Sequence, residues 1–411
     1  MPGIPFRATS RFCRGRSACL RSEAGPLAEG RRRATISAGV RRSSRGFSER
    51  QEARHRRPTR TRRDRNGSRD ARGGVCPGPA AAQVPRIAYG YEGKSVEGVF
   101  VIRVDGLNRH RVTHDLHAAS VGGFGPDWSP DGTRIALAGY RSGTSKIFTV
   151  RPNGTGQKRI TRGASCFGDN SPDWSAHSQH VVFVRDYCDP VKLFSVRRDG
   201  TQLTRLTQSG VYDPASGREP RWSPDSRWIA FSRQDNFDRF QIWVMRRDGS
   251  DKAQLTESPL DPEVSVPQQR YPQWSPDSTT LAYTEVQAKE FGTWTESEVC
   301  TVAISGGSLS CLTDAPGVDA DGHYSPDGQH IVFVSNRDGN EKVYVMDANG
   351  SNEQALTTDL AADTQPEWSP DGEWIAFLSD RSGHVDLYVV HPDGTGLRRL
   401  TRNAGVPSHV P

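Results

Sequence analysis

No stretch of this chain approaches the ~20 apolar residues of a membrane-spanning helix. Pro79-Ala-Ala-Ala-Gln83 resembles the end of a secretory signal, but no apolar run of roughly 7–15 residues precedes it, so no signal is intact as written. There is no Cys-x-x-Cys and no histidine grouped with a cysteine, which argues against a zinc site. Gly-x-Ser-x-Gly, His-Glu-x-x-His and the phosphate-loop pattern are all missing, which removes the commonest signals of serine hydrolases, zinc peptidases and nucleotide enzymes. Helical periodicity is missing too. Finally, the first 85 residues hold 21 arginines and 6 acids but no lysine.

What is present is a repeat. Pro-x-Trp-Ser-Pro-Asp-Gly or a near variant recurs around Trp128, Trp174, Trp222, Trp274, Tyr324 and Trp368, at spacings of 46, 48, 52, 50 and 44 residues. A period of this size signals an array of small β units. Each unit carries two short β-branched and aromatic runs after the motif, such as Ile375-Ala-Phe-Leu378 and Leu387-Tyr-Val-Val390, and ends in Leu-Thr or a near match. Such runs, bounded by Gly, Pro, Asn and Asp, are strands. Ser-Pro-Asp-Gly is a turn: proline presets φ, aspartate bonds the local backbone and glycine takes the positive-φ exit. Asn153-Gly154, Asp199-Gly200, Asp248-Gly249 and their counterparts are hairpin turns. Each unit is therefore a four-stranded antiparallel meander. The repeated aromatics read as structural wedges between units, and Asp131, Asp225, Asp277, Asp327 and Asp371 as turn residues.

Ahead of the first Trp unit, Arg86–Gly90, Val99–Ile102 and Val112-Thr113 supply strands two to four of a unit that lacks strand one. The C-terminal Pro407-Ser-His-Val-Pro411 aligns with Pro-x-Trp-Ser-Pro, with His409 at the aromatic place, and is expected to fill the gap. Pairing the two chain ends would remove open edges. The expected fold is all-β: a seven-bladed β-propeller closed by N- and C-terminal strands in one blade, with a six-bladed ring as the alternative.

These motifs resemble the TolB-type β-propeller, over roughly 86–411. Residues 366–401 carry nearly the whole signature: Pro-x-Trp-Ser-Pro-Asp-Gly, Ile-Ala-Phe, Arg-Ser-Gly, Leu-Tyr-Val-Val, Asp-Gly and Leu-Thr. The resemblance implies the ring and says little about function, because one fold hosts many functions. Residues 1–85 look nothing like the α/β domain that precedes the ring in TolB.

The chain is +6 overall, but its first 85 residues are about +15, leaving an acidic −9 for 86–411. The Arg-rich segment is expected to be disordered. It reads as a translated GC-rich stretch ahead of the true start, in preference to a targeting segment or a nucleic-acid-binding arm. Four of the seven cysteines lie in the ring. Cys300 and Cys311 flank the Gly306-Gly307 turn, and Cys166 and Cys188 fall in loops on one face. Two disulfides and an oxidising, periplasmic or extracellular location are expected.

One face has short uniform turns, whereas the other has longer loops, the longest being 257–271 and 285–298. The longer face is expected to bind. Phe291 and Trp294, outside the repeat, are candidate anchors there. Asp169, Asp319 and Asp363 recur just before the first strand motif, and Arg141, Arg337 and Arg381 in neighbouring loops. They form either a channel mouth for a peptide or polar ligand, or, as the favoured reading, Asp–Arg pairs between blades that hold loop shape. Asp319 and Asp321 are too few carboxylates for a Ca²⁺ loop. The expectation is a monomeric, non-catalytic, exported scaffold for a protein or peptide partner, without cofactor or metal. The alternative is a propeller hydrolase or lyase acting on carbohydrate or peptide, with His114, His117 and His323 as its candidate groups.

Overall fold

The protein, seen in a computed structural model, is described over residues 36–39, 84–92, 97–113, 116–118, 125–141, 144–163, 168–186, 191–207, 218–235, 239–257, 267–290, 293–307 and 309–402. Every regular element among them is a β-strand. The strands form seven antiparallel meanders in chain order. Meander 3, for example, runs Gly168–Trp174, His180–Asp186, Lys192–Arg197 and Thr204–Arg205. Meanders 2 and 3 are joined into one nine-stranded sheet by a parallel step at Gly168 and Ser145, and the other five are separate four-stranded sheets.

The uninterrupted apolar runs follow from burial on both faces. Successive strand residues point to opposite sides. In meander 2, Ile135 packs toward meander 1 with Ala88 and Val101, while its neighbour Ala136 packs toward meander 3 with Val181 and Val196. The same alternation repeats: Val181 faces meander 2 and Val182 faces meander 4. Further cores join meanders 4 and 5, 5 and 6, and 6 and 7. Ala376 and Val389 of meander 7 pack with Ile87 and Ile102 of meander 1. Trp128, Trp174, Trp222 and Trp368 are buried in the wedges facing the preceding meander, and Trp274 and Tyr324 are partly buried in theirs.

The Leu-Thr ending has a specific task. Its hydroxyl accepts the backbone N–H of the third strand in all seven meanders, from Thr113 with Val99 at 3.0 Å to Thr401 with Leu387 at 2.9 Å. This closes the gap left by a two-residue outer strand. In the Ser-Pro-Asp turns the serine hydroxyl donates to the aspartate, as in Ser275–Asp277 at 2.6 Å, and accepts the N–H of Thr280 five residues on.

Two expectations are corrected. The innermost place in meander 1 is taken by Ile36–Gly39, which pairs antiparallel with Arg86–Glu92, Ile36 opposite Tyr89. Strand pairing at this edge requires only the open backbone groups of an extended segment, which Ile36–Gly39 supplies. The proposed C-terminal strand, 407–411, lies outside the described residues, as does the Arg-rich segment apart from 36–39 and 84–85. The insertion at 285–298 is not a loop: it lengthens the central hairpin of meander 5 into two paired strands, Thr280–Glu290 and Thr293–Ala303.

Cys300 and Cys311 stand directly opposite each other and are joined as a disulfide. Cys166 and Cys188 lie outside the described residues.

Candidate channel site

In each motif Trp turns into the wedge, and the residue before it points the other way by strand alternation. That residue is Asp127, Asp173, Arg221, Gln273, His323 and Glu367 in meanders 2 to 7, always polar. Along the innermost strands these side chains form a polar belt made of two runs of contacts, one through Asp127, Asp173 and Arg221 and one through Gln273, His323 and Glu367. Asp127 accepts the backbone N–H of Trp174 at 2.8 Å, and Asp173 that of Trp222 at 2.7 Å. Arg221 donates to Asp173 at 3.4 Å. The Gln273 amide meets Nε2 of His323 at 3.3 Å, and Nδ1 of His323 meets Glu367 at 2.9 Å.

The belt is electrostatically one unit. Burial, and then repulsion from Asp173, push the Asp127 carboxyl well above the usual carboxylate range; Glu367 adds to this, while the Trp174 N–H and Arg221 oppose it. Burial also raises Asp173, against the pull of Arg221. Burial works against the Arg221 charge, but Asp173, Asp127 and Glu367 hold it firmly protonated. With Nδ1 of His323 turned to Glu367, Nε2 is the ring atom that faces the Gln273 amide. The belt thus brings together a carboxyl whose pKa is raised by burial, an imidazole held between a carboxylate and an amide, and a guanidinium held by carboxylates.

Two residues upstream lies a second tier. Ser171, Glu219, Tyr271, Asp321 and Gln365 all adopt left-handed backbone, with φ between 52° and 58°. Each sits where the register of the innermost strand shifts. Five non-glycine residues in this conformation are costly unless the surroundings hold them. Glu219 shows how they are held: its carboxylate accepts Ser232 Oγ at 2.8 Å and the N–H of Tyr271, in the next meander, at 2.9 Å. Burial, then Glu219, push the Tyr271 phenol up, and Asp321 adds to it.

The acids expected at an open mouth are elsewhere. Asp169, Asp319 and Asp363 are buried, and each is paired within its own meander: Asp169 with Arg185 at 2.6 Å, Asp319 with Arg337 at 2.7 Å, Asp363 with Arg381 at 2.9 Å. The guanidinium groups lie over the paired rings Phe183/Phe194, Phe333/Tyr344 and Phe377/Tyr388. This corrects both readings of the pairs: each carboxylate meets its guanidinium inside one meander, while Arg185 also donates to the Arg162 carbonyl and Arg381 also meets Asp359, both in segments that follow the preceding meander. Cation–π contact and carboxylate together make each pair a brace inside one meander. The partner of Asp169, Arg185, was missed because it sits at the end of a strand rather than in an Arg-x-Gly loop. Asp321, flanking Asp319, belongs to the left-handed tier.

His323 is in the belt. Phe291 and His114 lie outside the described residues, as do the side chains of Arg141, His117 and Trp294. The other belt residues were missed, although a signal existed: one position inside a fixed frame, read as Asp, Asp, Arg, Gln, His and Glu.

Residues 82–271 and 269–409 match the family described as TolB beta propeller domain. A curated relative, the uncharacterized peptidase YuxL of Bacillus subtilis (strain 168), is 27% identical over a segment covering 29% of this chain; the chain spans 22% of that relative's length. An oligogalacturonate lyase from Vibrio parahaemolyticus has a similar structure, with TM-score 0.58 and 14% identity, covering 74% of this chain and 85% of that one. A puromycin-hydrolyzing peptidase from Mycobacterium tuberculosis matches with TM-score 0.60 and 12% identity, covering 80% of this chain and 54% of that one. The structural likenesses establish the fold. The expectation of a ring that performs no bond chemistry is overturned here: the curated relative is named as a peptidase, and the propeller neighbours include a lyase and a peptidase.

Proposed function

Because this chain belongs to the TolB beta propeller domain family, we propose that it is a seven-bladed ring that takes an extended polypeptide at its loop-rich face and channel, and that the channel belt acts on that polypeptide as acid and base. The observation that carries this reading is the setting of His323: Nδ1 is held by Glu367 at 2.9 Å, and Nε2 faces the Gln273 amide on the same belt as Arg221 and the carboxyl of Asp127. A base whose tautomer is fixed by a carboxylate, with an acid of raised pKa on the same tier, is the pairing that proton-transfer catalysis requires. The family's fold supports polypeptide binding, and the peptidase name of the curated relative supports cleavage. The long hairpin of meander 5, Thr280–Glu290 with Thr293–Ala303, is the proposed anchor on the loop-rich face, with the Phe291 and Trp294 of the sequence as its candidate aromatic contacts. We take the protein as exported, in keeping with its disulfide.

The test is cleavage of peptide and polysaccharide panels by the full chain, followed by mass spectrometry. Peptide cleavage that falls at least about 100-fold in His323→Ala is the expected result for a general base. Cleavage of polysaccharide alone would transfer the site to the carbohydrate reading. Cleavage that persists in His323→Ala would remove the belt from the chemistry.

A further inference from the structure

The disulfide of meander 5 stands beside groups that a disulfide does not need. Tyr283 lies opposite Cys300, and Cys300 opposite Cys311. Glu285 is two residues beyond Tyr283, so strand alternation puts all four on one face of the sheet. The two sulfurs and a Glu285 carboxylate oxygen lie within 4.8 Å of one another, the only such convergence of metal-ligating groups among the described residues. Gln269, fully buried, donates to Glu285 at 3.3 Å and orients it.

Tyr283 is the second observation. It is 1% exposed, and its hydroxyl has no hydrogen-bond partner. At the matching position Phe183, Phe231, Phe333 and Phe377 fill the same kind of core without a hydroxyl. In meander 1 the matching Tyr89 hydroxyl accepts from Arg109 at 2.6 Å. A buried hydroxyl left unpaired costs about 1–3 kcal/mol, so an unpaired one beside a carboxylate points to a missing partner.

We propose that Cys300, Cys311 and Glu285 form a binding site for a thiophilic divalent cation, with Zn²⁺ the best fit, when the disulfide is reduced, and that the Tyr283 hydroxyl donates to the water or anion completing it. Two thiolates and one carboxylate leave one position of a tetrahedral zinc open. The reductant is a dithiol. Its thiolate attacks the exposed Cys311 sulfur, the bond to Cys300 breaks, and the mixed disulfide resolves by closing the reductant into its own disulfide. Both cysteines are then thiols. Cation binding releases their two protons and forms two metal–sulfur bonds and one metal–oxygen bond. Meander 5 would thus exchange one cross-link for another between the same strands, according to the redox state of its surroundings.

The probe is Co²⁺, titrated into the full chain after dithiol reduction and removal of the reductant under argon, with Zn²⁺ as competitor. Reduced wild type is expected to take one more equivalent of Co²⁺ than Cys311→Ser, with a sulfur-to-cobalt charge-transfer band that Zn²⁺ abolishes; the oxidised protein is expected to show neither. Glu285→Gln should weaken binding by about tenfold or more. Tyr283→Phe should keep the stoichiometry and weaken affinity, and since phenylalanine fills this place elsewhere in the ring it should fold normally. Equal cobalt uptake by reduced wild type and Cys311→Ser, or an affinity unmoved by Glu285→Gln, would overturn the proposal. Circular dichroism of each variant separates lost binding from lost fold: an unfolded Cys311→Ser passes the decision to Glu285→Gln.

Discussion

Asp127 accepts the backbone N–H of Trp174 across the boundary between meanders 2 and 3, at 2.8 Å. Its carboxyl is pushed up by burial first and by Asp173 next. A group whose folded pKa is raised holds its proton in a range where the unfolded chain, near 3.9, has already lost it. Its contribution is therefore fully present below about pH 4 and is lost as pH rises through the folded value. Asp277 and Asp327 work the opposite way. Hydrogen bonds from Ser275 and Ser325 lower them, so their contribution is present above the unfolded value and lost as pH falls through the folded one. Urea midpoints measured from pH 4 toward neutrality should fall less in Asp127→Asn than in wild type. Identical slopes would show that Asp127 does not carry this dependence.

Asp363 is fully buried against Arg381. Removing Asp363 leaves Arg381 with only the partly exposed Asp359 at 3.2 Å, so the cost stays below the roughly 3–5 kcal/mol of a fully uncompensated buried charge. Asp363→Ala should lower the denaturant midpoint accordingly and leave peptide binding unchanged at temperatures where it is folded, whereas Glu367→Gln should do the reverse. Equilibrium unfolding beside a binding isotherm for the two variants separates brace from channel.

Thr256 accepts the N–H of Ile242 at 2.9 Å, both groups being buried. Thr256→Val keeps the shape and leaves that N–H unpaired, for a loss of about 1–3 kcal/mol in chemical denaturation. Thr256→Ser restores the acceptor and should recover most of it.

Gly249 adopts a φ of 86°, and a Cβ there would lie 2.7 Å from the Leu206 carbonyl oxygen of the preceding meander. Gly249→Ala is strained in backbone and contact alike, and should destabilise by about 1–3 kcal/mol. Gly306 has φ 79° with nothing nearby, so Gly306→Ala should cost less. Thermal melting of the two variants tests whether this hairpin glycine serves packing between meanders as well as the turn.

The meanders were legible because their signals are local. Two strand runs, a Ser-Pro-Asp turn and an Asx-Gly hairpin each act within about five residues, where steric and hydrogen-bond rules are strong. The disulfide of Cys300 and Cys311 was legible for the same reason, since one hairpin sets their register. Asp169 with Arg185 was not: they are 16 residues apart on strands whose register shifts within the bulge. The direction of each acid depends on that shift, and nothing in the motif marks it.

Sequence alone determined that this protein is a repeat of small β-meanders with aromatic wedges, because short-range chemistry repeated six times admits one reading. Folding in three dimensions decided which polar residues meet. Asp127, Asp173, Arg221, Gln273, His323 and Glu367 are scattered over 241 positions, and only the packing of successive innermost strands brings them into one belt. It also decided which extended segment, Ile36–Gly39, fills the innermost place of meander 1, since strand pairing reads open backbone groups and not side-chain motifs.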